Sequence, residues 1–471
     1  MRYSLHVPSS DSMLQLAFAA ATAEVTVVSL TLALSSVFPH ATTAASIRAV
    51  TVTSFRAVFM TRSPFLRAPP RFLPLPPPLP AGARLDYSRV MKIVVLGAGL
   101  VGAPMANDLA KDSAHEITVA DIRDEALERV SRGAKIRPVK VDLSDTAEVQ
   151  RLATEHDLVL SAVPGFMGYR TLEAVLETGT SCVDIAFFPE DPLELDGLAK
   201  RQGATAFVDM GVGPGMSSVL AAHATTQLDS TTSILTYVGG LPRVRRWPYE
   251  YAAVFSPIDV IEEYVRPARY VENGHLVTRP ALSDPELLEF PEIGTLEAFN
   301  TDGLRTMAKT MKVANMKEKT MRYPGHIQKM AVLRETGFFG TEPVDIGGGT
   351  MVRPRDLTAK LLFPMWKLQP GEADFTVMRV IVEGTKYGQK TRWTYDLFDT
   401  YDAATGVHSM ARTTGYTATA AVRMLAKGMF TDRGVYPPEL VGLRKPCVEF
   451  LLAELKQRNV VYVEKVETLG Q

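Results

Sequence analysis

Residues 91–111 read MKIVVLGAGLVGAPMANDLAK, and the fold turns on this stretch. Ile93, Val94, Val95 and Leu96 form an unbroken apolar run, as in a strand covered on both faces. Gly97, Gly99 and Gly102 follow at G-x-G-x-x-G spacing. In that pattern the first glycine permits a tight turn and the second lets the backbone approach a diphosphate. The third lets the next helix lie close to the strand. Such a helix offers free N–H groups and the positive end of its dipole to the diphosphate. The predicted cofactor contacts at this turn are Gly97, Ala98, Gly99, Leu100, Val101 and Gly102.

The surrounding pattern supports a dinucleotide site. Residues 115–121, HEITVAD, read as a second strand ending on Asp121, 19 residues beyond Gly102. An acid there accepts hydrogen bonds from ribose hydroxyls and repels a 2′-phosphate, which points to NAD over NADP. Ile122 and Arg123 follow, and Arg123 is spaced to meet such a phosphate instead. A third strand at 135–142 carries Asp142 toward the adenine edge, and a fourth at 158–163 ends on Ala162 and Val163. The loop expected at 164–168 lies at the carboxyl end of that strand, where such folds hold ligands. Helices at 124–131, 146–155, 171–178 and 193–202 alternate with further strands at 181–187 and 206–210. This alternation predicts an α/β domain, a Rossmann-type doubly wound parallel sheet of about 120 residues.

The loop 211–215, GVGPG, breaks the rhythm and reads both as an interdomain crossover and as a second wall of the cofactor cleft. Beyond it the pattern changes class. A helix at 216–228 and a strand at 233–239 precede a helix at 258–264 and a hairpin at 268–277 turning on Asn273-Gly274. Long strands at 376–384 and 390–399 and a helix at 415–427 complete a second, α+β domain with a mixed or antiparallel sheet. Gly347, Gly348 and Gly349 have no helix directly after them and read as a strand connection. A tail helix at 447–456 and a short strand at 460–463 end the chain. The predicted division is a leader at 1–90, a nucleotide domain at 91–215, and a substrate and subunit-contact domain at 216–430. A C-terminal segment at 431–471 then packs back on the nucleotide domain.

Composition narrows the functional classes. The chain has 471 residues, a formal net charge of −1 and a pI near 6.7, so nothing in the composition suggests nucleic acid as a partner. Cys182 and Cys447 are the only cysteines, which fits a reducing compartment and excludes a disulfide framework. The eight histidines show no metal-ligand spacing. Residues 1–90 hold eight arginines, no lysine and only three acids, Asp11, Glu24 and Asp86, and turn proline-rich at 68–80. An Arg-rich, acid-poor leader resembles a transit peptide, which predicts a mitochondrial or other organelle matrix. The other reading is a leader without function ahead of a true start at Met91, with a cytoplasmic enzyme. The apolar stretch at 25–38 falls short of the ~20 residues of a bilayer span, so no stable membrane insertion is expected.

Seven segments in order resemble the saccharopine dehydrogenase-like oxidoreductases, most closely the lysine 6-dehydrogenases. They are GAGLVG (97–102), DMGVGPGM (209–216), YVGGLP (237–242), LEAFNTDG (296–303), RYPGH (322–326), MARTTGYT (410–417) and RGVYPPE (433–439). The resemblance runs from Met91 to about the C-terminus. It implies NAD-dependent oxidation of the lysine ε-amino carbon to an imine. Hydrolysis gives a semialdehyde, which cyclises to a piperideine carboxylate. It also implies a small amino-acid or amine substrate and a homo-oligomer.

That chemistry needs a base for the ammonium proton, a held carbon and donors for the substrate carboxylate. By the resemblance, Thr301, Asp302, Gly303 and Arg305 lie beside the substrate, although Asp302 and Arg305 stand where the family has small residues. Arg322 and Tyr323 join them, Arg322 as a carboxylate clamp or a plain ion pair. His326 is either a proton relay or a structural histidine, and Asp184 either a base or a helix cap. Tyr237 and Tyr416 read as core. Arg243, Arg245 and Arg246 read as a solvated loop beside Trp247, or as an anion or subunit contact. A saccharopine- or carboxynorspermidine-type reaction at a secondary amine is the alternative activity, and would need these arginines in the cleft. A non-catalytic NAD sensor is the alternative outside enzymology.

Overall fold

The structure is a computed structural model that describes residues 90–132, 134–369 and 371–470. The expected transit peptide and proline-rich linker lie outside the described residues.

The first layer is the predicted strand–helix alternation: β1 (Met91–Leu96), α1 (Gly102–Leu109), β2 (His115–Asp121), α2 (Asp124–Ser131), β3 (Ile136–Lys140), α3 (Thr146–Thr154), β4 (Leu158–Ser161), α4 (Gly165–Glu177), β5 (Ser181–Asp184), α5 (Asp196–Gln202) and β6 (Thr205–Phe207). All pairings in this sheet are parallel. The apolar run of β1 serves two cores at once. Ile93 and Val95 pack with Met105, Ala106 and Leu109 of α1, whereas Val94 and Leu96 pack with Val149 and Leu152 of α3 and Leu172 and Val175 of α4. This is why β1 shows no alternation of polar and apolar residues.

Residues 165–168, expected as loop, are instead the first turn of α4, with Pro164 at its N-cap. Two glycines make this possible. A Cβ on Gly165 would lie 2.5 Å from the Phe187 carbonyl oxygen, and one on Gly168 2.6 Å from the Ala186 Cβ. The helix therefore starts hard against the segment after β5, which local propensity does not reveal.

The second layer comprises α6 (Met216–Thr225), β7 (Ser230–Pro242), α7 (Pro257–Val265), β8 (Ala268–Glu272), β9 (His275–Arg279), β10 (Glu286–Phe290), β11 (Gly294–Asn300), α8 (Met307–Thr310), β12 (Asn315–Arg322), α9 (His326–Glu335), β13 (Val344–Asp345), β14 (Met351–Val352), α10 (Pro354–Trp366), β15 (Asp374–Lys386), β16 (Gln389–Thr400) and α11 (Ser409–Ala426). The chain ends with β17 (Gly434–Tyr436), α12 (Pro438–Gly442), α13 (Lys445–Gln457) and β18 (Tyr462–Thr468). The large sheet runs β10-β11-β12-β7-β15-β16-β18, with β8 and β9 attached beside β12. It is mixed: β12 runs parallel to β7, while β7 and β15 are antiparallel. The triple glycine joins β13 to β14.

Late segments return to the nucleotide domain. β17 adds in parallel beyond β6, giving the order β17-β6-β5-β4-β1-β2-β3, whereas β18 closes the second sheet on β16. α11 lies against α1 so closely that a Cβ on Gly415 would sit 2.8 Å from the Met105 Cγ. Buried Asp108 of α1 accepts hydrogen bonds from Thr419 at 2.7 Å, Arg423 at 2.8 Å and Arg458 at 2.9 Å. A buried carboxylate is tolerated when it is paired this completely.

Candidate active site

A cavity of about 680 Å³ opens along the carboxyl ends of the parallel strands and continues into the second domain. It has two chemically different ends.

The nucleotide end is made largely of backbone. Gly97 has φ +104°, a left-handed value that disfavours any side chain, and a Cβ on Gly102 would lie 2.0 Å from the Gly97 carbonyl oxygen. A Cβ on Gly99 would meet nothing within 4 Å, so open space stands above the second glycine, where a diphosphate must approach. The N-cap of α1, Val101, makes no side-chain cap; the Ala103 N–H is bonded to the Gly99 carbonyl at 3.2 Å and Pro104 has none, which leaves the Gly102 N–H of the first turn for an anion. These residues fit a dinucleotide. Of the predicted contacts, Gly97, Gly99, Leu100, Val101, Gly102, Asp121, Ile122, Arg123, Asp142, Ala162 and Val163 all line the cavity. Ala98 does not. It is buried, and its N–H donates to Asp121 Oδ2 at 2.8 Å.

Asp121 carries more bonds than its sequence position suggests. Oδ1 accepts from the Arg123 N–H at 2.9 Å and from Arg123 Nε at 3.0 Å, while Oδ2 accepts from Ala98 and from Arg123 Nη2 at 3.0 Å. Burial opposes its charge, but these hydrogen bonds outweigh it and hold the carboxyl below its ordinary range. Four donors fill the carboxylate's usual capacity. The Arg123 side chain is 60% exposed beside it.

The middle of the cavity is lined by Ile185, Ala186 and Phe187 after β5, by Gly211, Val212, Gly213 and Pro214, and by Gly239 and Gly240 of β7. The GVGPG segment is thus both crossover and wall. Asp184 is fully buried and does not line the cavity. Its Oδ2 accepts from the Ala186 N–H at 3.2 Å, a local turn, and Oδ1 has no hydrogen-bond partner among the described residues. Burial, with Asp209 adding to it, pushes this carboxyl up to about 7.

The substrate end is made of side chains from three segments. Thr301, Asp302 and Gly303 line it, and Arg322 does too. Asp302 is held by Arg269 at 2.8 and 2.7 Å. Arg322 is fully engaged: Nε donates to Tyr264 Oη at 3.3 Å, Nη1 to the Met321 carbonyl at 2.9 Å and Nη2 to Glu263. Burial works against its charge, yet Tyr264, Tyr251 and Glu263 together raise its pKa.

Three predicted residues lie elsewhere. Arg305 forms a buried pair with Asp209, Nε to Oδ2 at 3.0 Å and Nη2 to Oδ1 at 3.2 Å, and also donates to the Phe188 carbonyl. It ties the 301–305 loop to the nucleotide domain. The Tyr323 hydroxyl donates to the Pro242 carbonyl at 2.9 Å, within an apolar cluster. His326 sits among Tyr251, Tyr264 and Trp366 and does not reach the cavity. Its Nδ1 is 2.9 Å from the Tyr249 carbonyl, which can only accept, so Nδ1 carries the proton and Nε2 accepts from Tyr264 Oη at 2.9 Å. Burial keeps this imidazole neutral and pushes its pKa down to about 3. The structure places His326 as a support for Tyr264, and through it for Arg322, away from any relay.

Sequence reasoning missed the charged stripe of α7. Asp259, Glu262, Glu263 and Arg266 recur at helical spacing and all line the cavity, while Val260, Ile261 and Tyr264 face the core. A charged stripe ordinarily reads as a solvated face. Glu318 was missed as well. Its Oε2 accepts from Thr301 Oγ1 at 2.6 Å and from the Gly303 N–H at 3.1 Å. Burial pushes this carboxyl up to about 7, with Glu263 adding to the effect.

Comparison with known proteins fits this geometry. Residues 93–207 match the saccharopine dehydrogenase NADP binding domain, and residues 211–461 the saccharopine dehydrogenase C-terminal domain. Saccharopine dehydrogenase [NADP(+), L-glutamate-forming] of Schizosaccharomyces pombe is 22% identical over 77% of this chain and 97% of its own length. Carboxynorspermidine synthase of Vibrio alginolyticus is 24% identical over 74% of this chain and 92% of its own. The mitochondrial alpha-aminoadipic semialdehyde synthase of Bos taurus is 23% identical over 79% of this chain and 48% of its own. The chain thus spans about half the length, or less, of the mitochondrial synthases it matches. Saccharopine dehydrogenase (L-Glu forming) from Saccharomyces cerevisiae shares the fold, with a TM-score of 0.66 over 80% of this chain and 100% of that one at 17% identity. The two domain matches together span the whole cavity, and the chain belongs to the saccharopine dehydrogenase family of oxidoreductases.

Proposed function

We propose that this protein oxidises a basic amino acid at an amine-bearing carbon with NADP, and that the ε-carbon of L-lysine is the site of attack. The observation that carries the reading is the charge of the substrate end. Asp259, Glu262, Glu263, Asp302 and Glu318 line it against Arg266 and Arg322. Arg269 and Arg355 pair with Asp302 and Glu262, and Arg322 with Glu263, while Asp259 and Glu318 make no ion pair among the described residues. Burial raises the pKa of Asp259, Glu263 and Glu318, and carboxyls so perturbed are stabilised as anions by an entering cation.

Glu318 is the proposed proton acceptor. Both of its hydrogen bonds fall on Oε2, which leaves Oε1 for the substrate ammonium. The substrate ammonium gives one proton to Glu318 and becomes a neutral amine. The bound nicotinamide supplies a two-electron acceptor for the hydride of the adjacent carbon. Water then adds to the resulting iminium carbon, ammonium leaves, and the semialdehyde cyclises onto its α-amino group.

NADP replaces the NAD expected from Asp121 for two reasons. The Asp121 carboxylate is already saturated by Ala98 and Arg123, and an exposed guanidinium stands beside it for a 2′-phosphate. A second reading, oxidoreduction at a secondary amine, is favoured by the names of the relatives. Its substrates carry extra carboxylates, whereas Arg243 lies over Phe375 and Phe398, Arg245 pairs with Glu250 and Arg246 with Glu372, all off the cavity. Assembly into a homo-oligomer belongs to the same proposal. Leu357, Leu361 and Met365 stand exposed on one face of α10, and sedimentation velocity tests it.

A substrate panel with NAD and NADP, followed by reduced-nucleotide absorbance, tests the function. Reduced NADP with L-lysine is the expected result. Turnover confined to saccharopine-like secondary amines would install the second reading. Tight nucleotide binding without turnover of any amine would identify a sensor.

A further inference from the structure

The reaction proposed above needs a cationic partner for the substrate carboxylate, and Arg322, the residue that sequence singled out, is already bound to Tyr264, Met321 and Glu263. The cavity holds one other arginine at this end. Arg266, at the C-terminus of α7, makes no side-chain hydrogen bond among the described residues. Among the described residues its Nη1 is buried without a partner, and its one ion pair is a loose one, Nη2 to Glu262 at 3.7 Å. The guanidinium lies over the Phe187 ring, 4.5 Å from the centroid, with its side chain only 12% exposed. A buried guanidinium with an unfilled fork is costly to keep, because an unsatisfied buried donor forfeits hydration without replacement.

We infer that Arg266 is the anchor for a substrate carboxylate, and that it makes the site selective for amino acids over plain amines. The inference rests on the proposed function. Phe187 fixes the plane of the guanidinium, and the bidentate fork of an arginine matches the two oxygens of a carboxylate. The groups that face it are Glu262 and Asp259 of its own helix, Asp302 of the 301–305 loop, and Arg305. Burial, and after it Arg305, lower its pKa, and Glu262, Asp302 and Asp259 offset them only in part. An arriving carboxylate supplies the hydrogen-bond acceptor that Nη1 lacks. The acids Glu318 and Glu263 then stand in the same cavity for the cationic end of the substrate. Arg266 acts on binding, and Glu318 on proton transfer, so the two roles separate in KM and kcat.

The test is calorimetric titration of the full chain, loaded with NADP, using three probes: L-lysine, 1,5-diaminopentane and glutarate. The wild-type protein is expected to bind L-lysine at least tenfold more tightly than the diamine. Arg266→Gln is expected to weaken L-lysine and glutarate by about 30- to 100-fold and leave the diamine unchanged, with Arg266→Lys in between. Equal weakening of all three probes, or no change for L-lysine, overturns the assignment. Equal affinity of the wild type for lysine and the diamine overturns it without any variant, so a misfolded variant does not shield it. If the wild type binds glutarate through Arg266 but neither amine, the anchor stands and the amine chemistry falls. If it binds neither lysine nor glutarate, the anchor falls.

Discussion

The two ends of the cavity are built by opposite means. The nucleotide end uses backbone: three glycines, an uncapped helix start and one acid within 25 residues of chain. The substrate end uses side chains from α7, the 301–305 loop and β12, and almost every one is hydrogen-bonded to another. Backbone sites need particular glycines at particular spacings and tolerate few alternatives. Side-chain sites need only that distant segments converge, and each polar group must be satisfied by its neighbours.

The strongest way to break this division is to cut the tie between the ends. Arg305 and Asp209 are both buried, and each holds a positive φ, 51° and 53°. Arg305→Met leaves Asp209 buried and unpaired, and the expected loss is about 3–5 kcal/mol in urea unfolding. A loss below about 1 kcal/mol would mean that Asp108 with Arg423 and Arg458 carries the joint alone. Within the substrate end, Glu318→Gln is expected to lower kcat by about 10²–10³ while nucleotide affinity holds. The wild-type rate of oxidation should rise with pH through about 7, as Glu318 loses its proton and becomes a base. A parallel fall in nucleotide affinity would show that the two ends are not separable.

The glycines sharpen the other side. Gly102→Ala puts a Cβ 2.0 Å from the Gly97 carbonyl oxygen, and should cost about 1–3 kcal/mol of stability along with nucleotide binding. Gly99→Ala meets no protein atom, so it should leave the melting temperature unchanged and weaken only the nucleotide. Identical melting losses in both variants would contradict the roles given to them. Arg123→Ala should reduce the preference for NADP over NAD by about tenfold, near 1.4 kcal/mol, read from the ratio of kcat/KM values. An unchanged ratio would return the ribose assignment to Asp121 alone.

The same contrast governs what the amino-acid sequence reveals. The parallel sheet is legible because its central strands β1, β2 and β4 carry apolar runs bounded by turns, and the glycine pattern has a chemical reason at each position. The start of α4 is hidden because it depends on contact with Phe187 and Ala186, some twenty residues away. β12 is hidden because its interior positions are Glu318, Lys319, Thr320 and Arg322, so a strand of the second sheet reads as polar chain. For that reason Thr301, Asp302 and Gly303 are found by resemblance, while Glu318, to which Thr301 and Gly303 both donate, is not. His326 misleads in the other direction. Its type suggests catalysis, and only the Tyr249 carbonyl and the Tyr264 hydroxyl show that both ring nitrogens are spent.

The smallest expected effect concerns pH and bears on both ends. Asp184 behind the middle of the cavity, Glu318 at the substrate end and Glu439 of α12 are all buried with carboxyls pushed up to about 7 from ordinary values of 3.8, 4.5 and 4.5. Each holds its proton more tightly in the folded chain than in the unfolded one. Between about 4 and 7 the folded chain therefore binds more protons, and stability falls as pH rises through that window. Glu439 touches no wall of the cavity: its Oε1 accepts from Thr310 at 2.6 Å and its Oε2 has no partner among the described residues. Glu439→Gln should flatten the slope of stability against pH by up to about 1 kcal/mol per unit, without moving the pH profile of the rate. Should the rate profile move with Glu439 instead of Glu318, proton transfer would run outside the cavity, and the division between a binding end and a reacting end would have to be redrawn.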